Sequence, residues 1–128
     1  MVKESQPKKV LVIEDESDLR QFSAWFLEAE GYQALQAADS NEGIKLAKQH
    51  QVDLILLDIR LPDRFGWEVL EELKNTPETS GTPVVIFTAS ADVIFKDKAM
   101  KMGAADYLIK PVSAGVLKEC VDRVLKNG

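Results

Sequence analysis

The sequence predicts an α/β fold, a doubly wound parallel sheet of five strands with helices on both faces. Two observations carry that prediction. Apolar strand-like runs and helical repeats alternate five times, and the connections between them are short, as in parallel sheets whose crossovers are helices. A third observation orders the sheet in part. The runs at 9–15, 52–58 and 83–89 read as apolar throughout, which is the pattern of strands covered on both sides, so these three should be central.

The elements follow in order. KVLVIED (9–15) is the first strand, and its last two residues are Glu14 and Asp15. A helical pattern over about 17–30 places Leu19, Phe22, Phe26 and Ala29 on one face and stops at Gly31, a residue suited to a helix end. YQALQAA (32–38) is the second strand, followed by a helix at about 40–49. VDLILLD (52–58) is the third strand, and a helix at 66–75 follows it. The segment NTPETSGTP (75–83) is the longest turn-rich stretch and is expected as a mobile surface loop at the end of the sheet away from the strands' carboxyl ends. PVVIFTA (83–89) and DYLIK (106–110) are the fourth and fifth strands, with helices expected at about 91–102 and 113–126.

Length and composition bound the function. A chain of 128 residues suits one domain with a core, with no internal repeat or interdomain linker to divide it. Its 45% hydrophobic and 29% charged residues mark a globular protein, and a net charge of -5 argues against direct nucleic-acid or anionic-membrane binding, which calls for a basic patch. The start, MVKESQPKKV, holds no apolar signal segment, and no run approaches the ~20 apolar residues of a spanning helix. The lone cysteine, Cys120, falls on the apolar stripe of the last helix with Val116, Leu117, Val121, Val124 and Leu125, and reads as a buried small hydrophobe. A cytoplasmic compartment is expected.

The strand ends carry the chemistry. In a doubly wound sheet, ligands bind outside the carboxyl ends of the strands where the winding reverses. Strand 1 delivers Glu14 and Asp15 there, strand 3 Asp58, strand 4 Thr88 and strand 5 Lys110. An ionised carboxylate at the end of a buried strand such as LILLD needs a partner. Three of them at ~4 Å repel by roughly 4 kcal/mol per pair at an effective dielectric of ~20, more than a marginally stable domain can spare. Lys110 supplies one positive charge. Hard oxygen ligands beside a phosphoryl group are the setting Mg²⁺ prefers, so the pattern points to a divalent ion and a phosphoryl group.

With these residues assembled, the chain resembles the receiver domain of two-component response regulators. The resemblance rests on Glu14-Asp15, on Asp58 followed by Leu61-Pro62 and Gly66, on Thr88-Ala89 and on Lys110-Pro111, and covers about residues 8–126 of a single receiver domain spanning 1–128. It implies the flavodoxin-like strand order 2-1-3-4-5. It also implies that Asp58 is the phosphoacceptor, forming an acyl phosphate by nucleophilic attack. Mg²⁺ would be bound directly by Asp15, with Asp58 and the backbone carbonyl of Arg60, and by Glu14 through water or one shell further out. Lys110 and Thr88 would meet the phosphoryl oxygens. The Lys110-Pro111 bond is expected to be cis, aiming the lysine inward.

The departures from the family pattern bear on rate and docking. Glu14 stands where aspartate is commoner. Arg60 and Ser90, each two residues past Asp58 and Thr88, flank the approach of water to Asp58, and Arg60 either obstructs it or lies on the surface. Phe65 precedes Gly66 where many relatives carry an acid or amide, and is expected as an exposed docking contact. His50, the lone histidine, ends a helix away from the acid edge, so the chain reads as a phosphate receiver and not as a histidine kinase or phosphotransfer protein.

The implied function is a phosphorylation-controlled signalling module that takes its phosphoryl group from a histidine kinase or phosphotransfer protein and presents a switched face to a downstream target. Two rivals stand beside it. A phosphatase of the haloacid dehalogenase type requires an aspartate two residues after the nucleophile, where this chain has Arg60. A receiver-like interaction module that is never phosphorylated would need none of the intact residues. The resemblance further implies a switch in which Thr88 moves toward the phosphoryl group and the Tyr107 ring turns inward from the surface of helix 4, strand 5 and helix 5. That surface, with Lys96, Lys98 and Lys101, is the expected output face and a route to a homodimer. The donor protein is expected over the first helix, where Leu19 and Trp25 stand near the Lys110-Pro111 loop and Phe22 is assigned to the core.

Overall fold

A computed structural model describes residues 6–89 and 92–127. Five strands, β1 (Lys9–Ile13), β2 (Gln33–Ala37), β3 (Leu54–Leu57), β4 (Val84–Thr88) and β5 (Asp106–Ile109), alternate with five helices, α1 (Ser17–Ala29), α2 (Ser40–His50), α3 (Gly66–Asn75), α4 (Val93–Lys101) and α5 (Ala114–Asn127). The sheet is all parallel in the order β2-β1-β3-β4-β5. Ser90, expected beside the acceptor, lies outside the described residues, as do residue 91 at the start of the fourth expected helix and the first five residues.

The central strands are covered on both faces, as their apolar runs require. Alternate residues of β1, β3 and β4 face opposite layers. Leu11, Ile13, Ile55, Leu57 and Ile86 pack with Ile44 and Ala47 of α2, Val69 and Leu70 of α3, and Ala99 of α4. Val10, Val12, Leu54, Leu56 and Val85 pack with Leu27 of α1 and with Leu117, Cys120 and Val121 of α5. Burial pushes the Cys120 thiol up to about 12, consistent with a core residue and not a reactive one.

Three expectations need correction. The core face of α1 is formed by Ser23, Ala24 and Leu27, while Phe22 is 52% exposed and Ala29 is on the surface. The helix carries more apolar side chains than one face can hold, and the small pair Ser23-Ala24 is what the sheet admits at close range; Phe22 and Trp25 are turned outward and contact each other there. The turn-rich segment after α3 is tied down: Thr76 Oγ1 donates to the Glu72 carbonyl, and the buried Thr79 donates its hydroxyl to the Leu73 carbonyl at 2.7 Å. Tyr107 is already buried, 5% exposed in the layer with Ile86, Ala99 and Ala104, and not on the α4–β5–α5 surface.

The helix ends follow local chemistry. Asp39 caps α2 by accepting from the Glu42 N–H at 2.8 Å, and Asp92 caps α4 by accepting from Ile94. Gly31 takes φ +96°, which only glycine adopts without strain, and so lets the chain leave α1 for β2.

Candidate functional site

The winding reverses between β1 and β3, which lie side by side, and their carboxyl ends open one crevice. Each strand stops a residue or two before the carboxyl end of its apolar pattern, so most of the polar residues stand just beyond the ladder. Glu14 and Asp15 follow β1, Asp58 follows β3, and Lys110 follows β5, while Thr88 is the last residue of β4. The parallel register brings these ends level: Ile13 pairs with Leu57, and Thr88 with Ile109.

Carboxylate oxygens of Glu14, Asp15 and Asp58 lie within 4.8 Å of one another. Glu14 and Asp58 are buried and Asp15 is exposed. Lys110 Nζ donates to Asp58 Oδ2 at 3.0 Å and to Glu14 Oε1. Glu14 is further held by the Glu16 N–H, which donates to its other oxygen at 3.1 Å. One ammonium thus serves two carboxylates, and Asp15 shares the cluster without it.

The electrostatics reflect that imbalance. Burial pushes the Glu14 carboxyl above its ordinary value, and the bonds from Lys110 and the Glu16 N–H recover only part of the cost. Burial works against the Lys110 charge as well, but the hydrogen bond to Glu14 and the charge of Asp58 outweigh it and hold the lysine above its ordinary value. The Lys110–Pro111 peptide is cis, and the lysine chain runs inward with Nζ 5.3 Å from the Phe87 ring centroid.

Thr88 is 1% exposed, and its hydroxyl oxygen is buried without a hydrogen-bond partner. An unsatisfied buried hydroxyl costs roughly 1–3 kcal/mol, which makes it a group waiting for an acceptor. Fewer oxygens than a divalent ion needs, all of them hard, and a donor hydroxyl left over at the same strand edge fit a Mg²⁺ ion and a phosphoryl group together. Arg60 is exposed; its N–H donates to Asp58 Oδ1 at 3.1 Å. Phe65 is 59% exposed at the start of α3.

The loop from Asp58 to Gly66 is tight. Gly66 N–H donates to the Ile59 carbonyl, and a Cβ on Gly66 would come within 2.6 Å of Ile59 Cα and 2.8 Å of the Asp58 carbonyl oxygen. Sequence reasoning missed Asp63 and Ser40, which join this loop to α2. Their link spans 23 residues, and no local pattern marks it.

On the far side of Lys110 a groove of about 360 Å³ is lined by Leu19, Phe22, Phe87, Pro111, Val112 and Leu117, with Trp25 66% exposed on the same helix as Leu19 and Phe22. His50 is exposed at the end of α2, where its carbonyl accepts from Lys9 Nζ.

Comparison with known proteins agrees with this geometry. The profile of the family described as "Response regulator receiver domain" matches residues 10–122. The "Probable transcriptional regulator ycf27" of Porphyridium aerugineum is 33% identical over 122 residues, covering 95% of this chain and 50% of the relative; the chain spans about half the length or less of the curated relatives it matches. Among solved structures, the chemotaxis response regulator CheY4 of Vibrio cholerae superposes with a TM-score of 0.88 at 28% identity over 94% of this chain and 100% of its own. A response regulator receiver domain protein from Clostridium thermocellum gives 0.86 at 33% identity over 94% and 95%. A matched profile across nearly the whole chain, together with the sheet order and five residues at one strand edge, makes this chain a member of the response regulator receiver domain family.

Proposed function

We propose that the chain, as one receiver domain over about residues 8–126, accepts a phosphoryl group on Asp58 in the presence of Mg²⁺ and so switches a protein-interaction face. The observation that carries the reading is the cluster itself: three carboxylates within 4.8 Å, of which Lys110 bonds two, Glu14 and Asp58, beside a buried Thr88 hydroxyl with no partner among the described residues.

Asp15, Asp58 and the Arg60 carbonyl would hold the ion, with Glu14 reaching it through water or standing one shell further out. Bound there, Mg²⁺ supplies positive charge against the phosphoryl oxygens. The protein's own residues do the rest. One Asp58 carboxylate oxygen attacks phosphorus as the bond to the donor breaks, giving an acyl phosphate on Asp58. Lys110, already at Asp58 Oδ2, follows the charge onto the phosphoryl oxygens, and Thr88 donates its free hydroxyl to one of them. Hydrolysis of the acyl phosphate returns the carboxylate.

The donor is a histidine kinase or phosphotransfer protein docked on the groove between α1 and the Lys110–Pro111 loop, and the output face is α4–β5–α5, where Lys96, Lys98 and Lys101 are exposed and a second copy or a downstream target would bind. Among the described residues no helix is long and apolar enough to cross a membrane. The cytoplasm is the compartment this reading implies.

The test is incubation with a small phosphodonor with and without Mg²⁺, followed by mass spectrometry. The expected result is a hydroxylamine-sensitive phosphate in the wild type and none in Asp58→Asn. Equal label on both would refute Asp58 as acceptor; no label on either, with Mg²⁺ present, would favour an interaction module that is not phosphorylated.

A further inference from the structure

The loop that leads away from Asp58 is closed at two places. At its base the Gly66 N–H reaches the Ile59 carbonyl, and Arg60 pairs with Phe65 in an isolated antiparallel bridge. At its tip Asp63 crosses to the amino end of α2. Asp63 Oδ1 accepts from the Ser40 N–H at 3.1 Å, and Oδ2 accepts from the Asn41 N–H at 3.2 Å and from the Ser40 hydroxyl. Arg64 tightens the same point, its Nε donating to Ser40 Oγ at 3.1 Å and its terminal nitrogen to Glu72 at 2.8 Å.

A carboxylate at a helix amino end is favourable in itself. Here, however, α2 already has its cap in Asp39. A second acid arriving from 23 residues away is not required to end the helix. Ser40 is fully buried, so its hydroxyl has a fixed orientation and few alternatives to Asp63 and Arg64. Burial works to raise the Asp63 pKa, but the three bonds from Ser40 and Asn41 outweigh it and hold this carboxyl below its ordinary value, so the latch is charged at neutral pH. What the latch adds is a fixed distance between α2, which packs against β1, and the loop that carries the Arg60 carbonyl.

We propose that the Asp63–Ser40 pair is a positioning latch: by pinning the tip of the 58–66 loop to α2, it sets where the Arg60 backbone carbonyl stands relative to Asp58 and Asp15, and thereby the affinity for Mg²⁺. This rests on the phosphoacceptor reading above. Neither residue touches the reacting atoms, so both act through the loop. The physical reason is the narrowness of the target. Mg²⁺ demands near-octahedral oxygens at roughly 2.0–2.1 Å, and the Arg60–Phe65 pairing at the base is a single isolated bridge, so holding the tip as well is what keeps the carbonyl within so narrow a target.

The experiment uses the full chain and three variants, Ser40→Ala, Asp63→Ala and Thr79→Ala, with Mg²⁺ half-saturation read by titration calorimetry and thermal midpoint by circular dichroism. Thr79 lies beyond the far end of α3 from the loop and bonds the Leu73 carbonyl, so its variant is destabilised without touching the latch. The expected result is a half-saturating Mg²⁺ concentration raised about 10-fold in both latch variants, the size typical when a group supporting a metal ligand is removed, and unchanged in Thr79→Ala. An unchanged value in either latch variant, or an equal rise in Thr79→Ala, overturns the latch and leaves the Mg²⁺ reading standing. A wild-type chain that binds no Mg²⁺ overturns both.

Discussion

Asp15 and Glu14 are neighbours in sequence with opposite situations. Glu14 is buried and bonded to Lys110 and the Glu16 N–H, whereas Asp15 is exposed and adds its charge to a cluster whose lysine is occupied by the other two. Removing Asp15's charge therefore relieves repulsion and breaks no bond to Lys110. Asp15→Asn is expected to raise the thermal midpoint in metal-free buffer by about 3 °C, for a gain of about 1 kcal/mol, and to lose most of the stabilisation that added Mg²⁺ gives the wild type. Differential scanning calorimetry with and without Mg²⁺ checks it, and a midpoint at or below wild type in metal-free buffer would count against the crowded cluster. At this scale the site residues were legible because each stands at the end of an apolar run, where a charged or hydroxyl group has no packing reason to be. Ser40, Asp63 and Thr79 were not, since a serine at a helix start and an aspartate or threonine in a loop look alike whether they face water or each other.

Two elements show how local geometry limits the chain. The turn into α3 has no room at Gly66, whose missing Cβ would meet backbone atoms of Ile59 and Asp58, and backbone cannot yield as a side-chain tip does. Gly66→Ala is expected to cost about 1–3 kcal/mol in urea unfolding and to lower the rate of acyl phosphate formation, because the residue displaced is Asp58's own neighbour. The second element is β5 with α5. Asp106 accepts from Arg123 at 2.6 Å and from its neighbour's N–H, Tyr107, at 2.7 Å; burial works to raise its pKa, but these bonds and the Cys120 thiol hold it below the ordinary value. The folded pKa is thus below the unfolded one, so the unfolded chain binds more protons as pH drops below about 4, and the stability present above that pH is lost as pH falls through the folded value. Arg123→Gln is expected to bring the folded pKa back up and shift the acid-unfolding midpoint to higher pH, measured by circular dichroism. An unmoved midpoint would show that Arg123 does not hold the carboxylate. The face of α1 belongs to this scale too: a helix with apolar residues around much of its circumference can be laid down in several rotations, and the choice fell to Ser23 and Ala24 for their size.

Across the whole molecule, the side of the site that carries Lys110 opens onto an apolar groove lined in part by Phe22, whose ring contacts the exposed Trp25. On the proposed function, a small donor would reach Asp58 without that groove, whereas a protein donor would lie on it. Leu19→Ala is expected to slow phosphoryl transfer from a protein donor roughly 10-fold, the loss of about 1.4 kcal/mol of contact, with transfer from a small phosphodonor unchanged. Equal slowing of both would place Leu19 in the core of the site and not on its docking surface. The sequence by itself determined the alternation of strand and helix, the central place of β1, β3 and β4, and the carboxyl-end location of Glu14, Asp15, Asp58, Thr88 and Lys110, because apolar run length and period are local and parallel winding sends every strand's carboxyl end to one edge. Tertiary structure alone decided which face of α1 is buried, that Tyr107 lies within the core, that Lys110 bonds Glu14 as well as Asp58, and that Asp63 reaches Ser40. Each of these is settled by side-chain size or by a contact between distant segments, and such choices exist only once the layers have closed on the sheet.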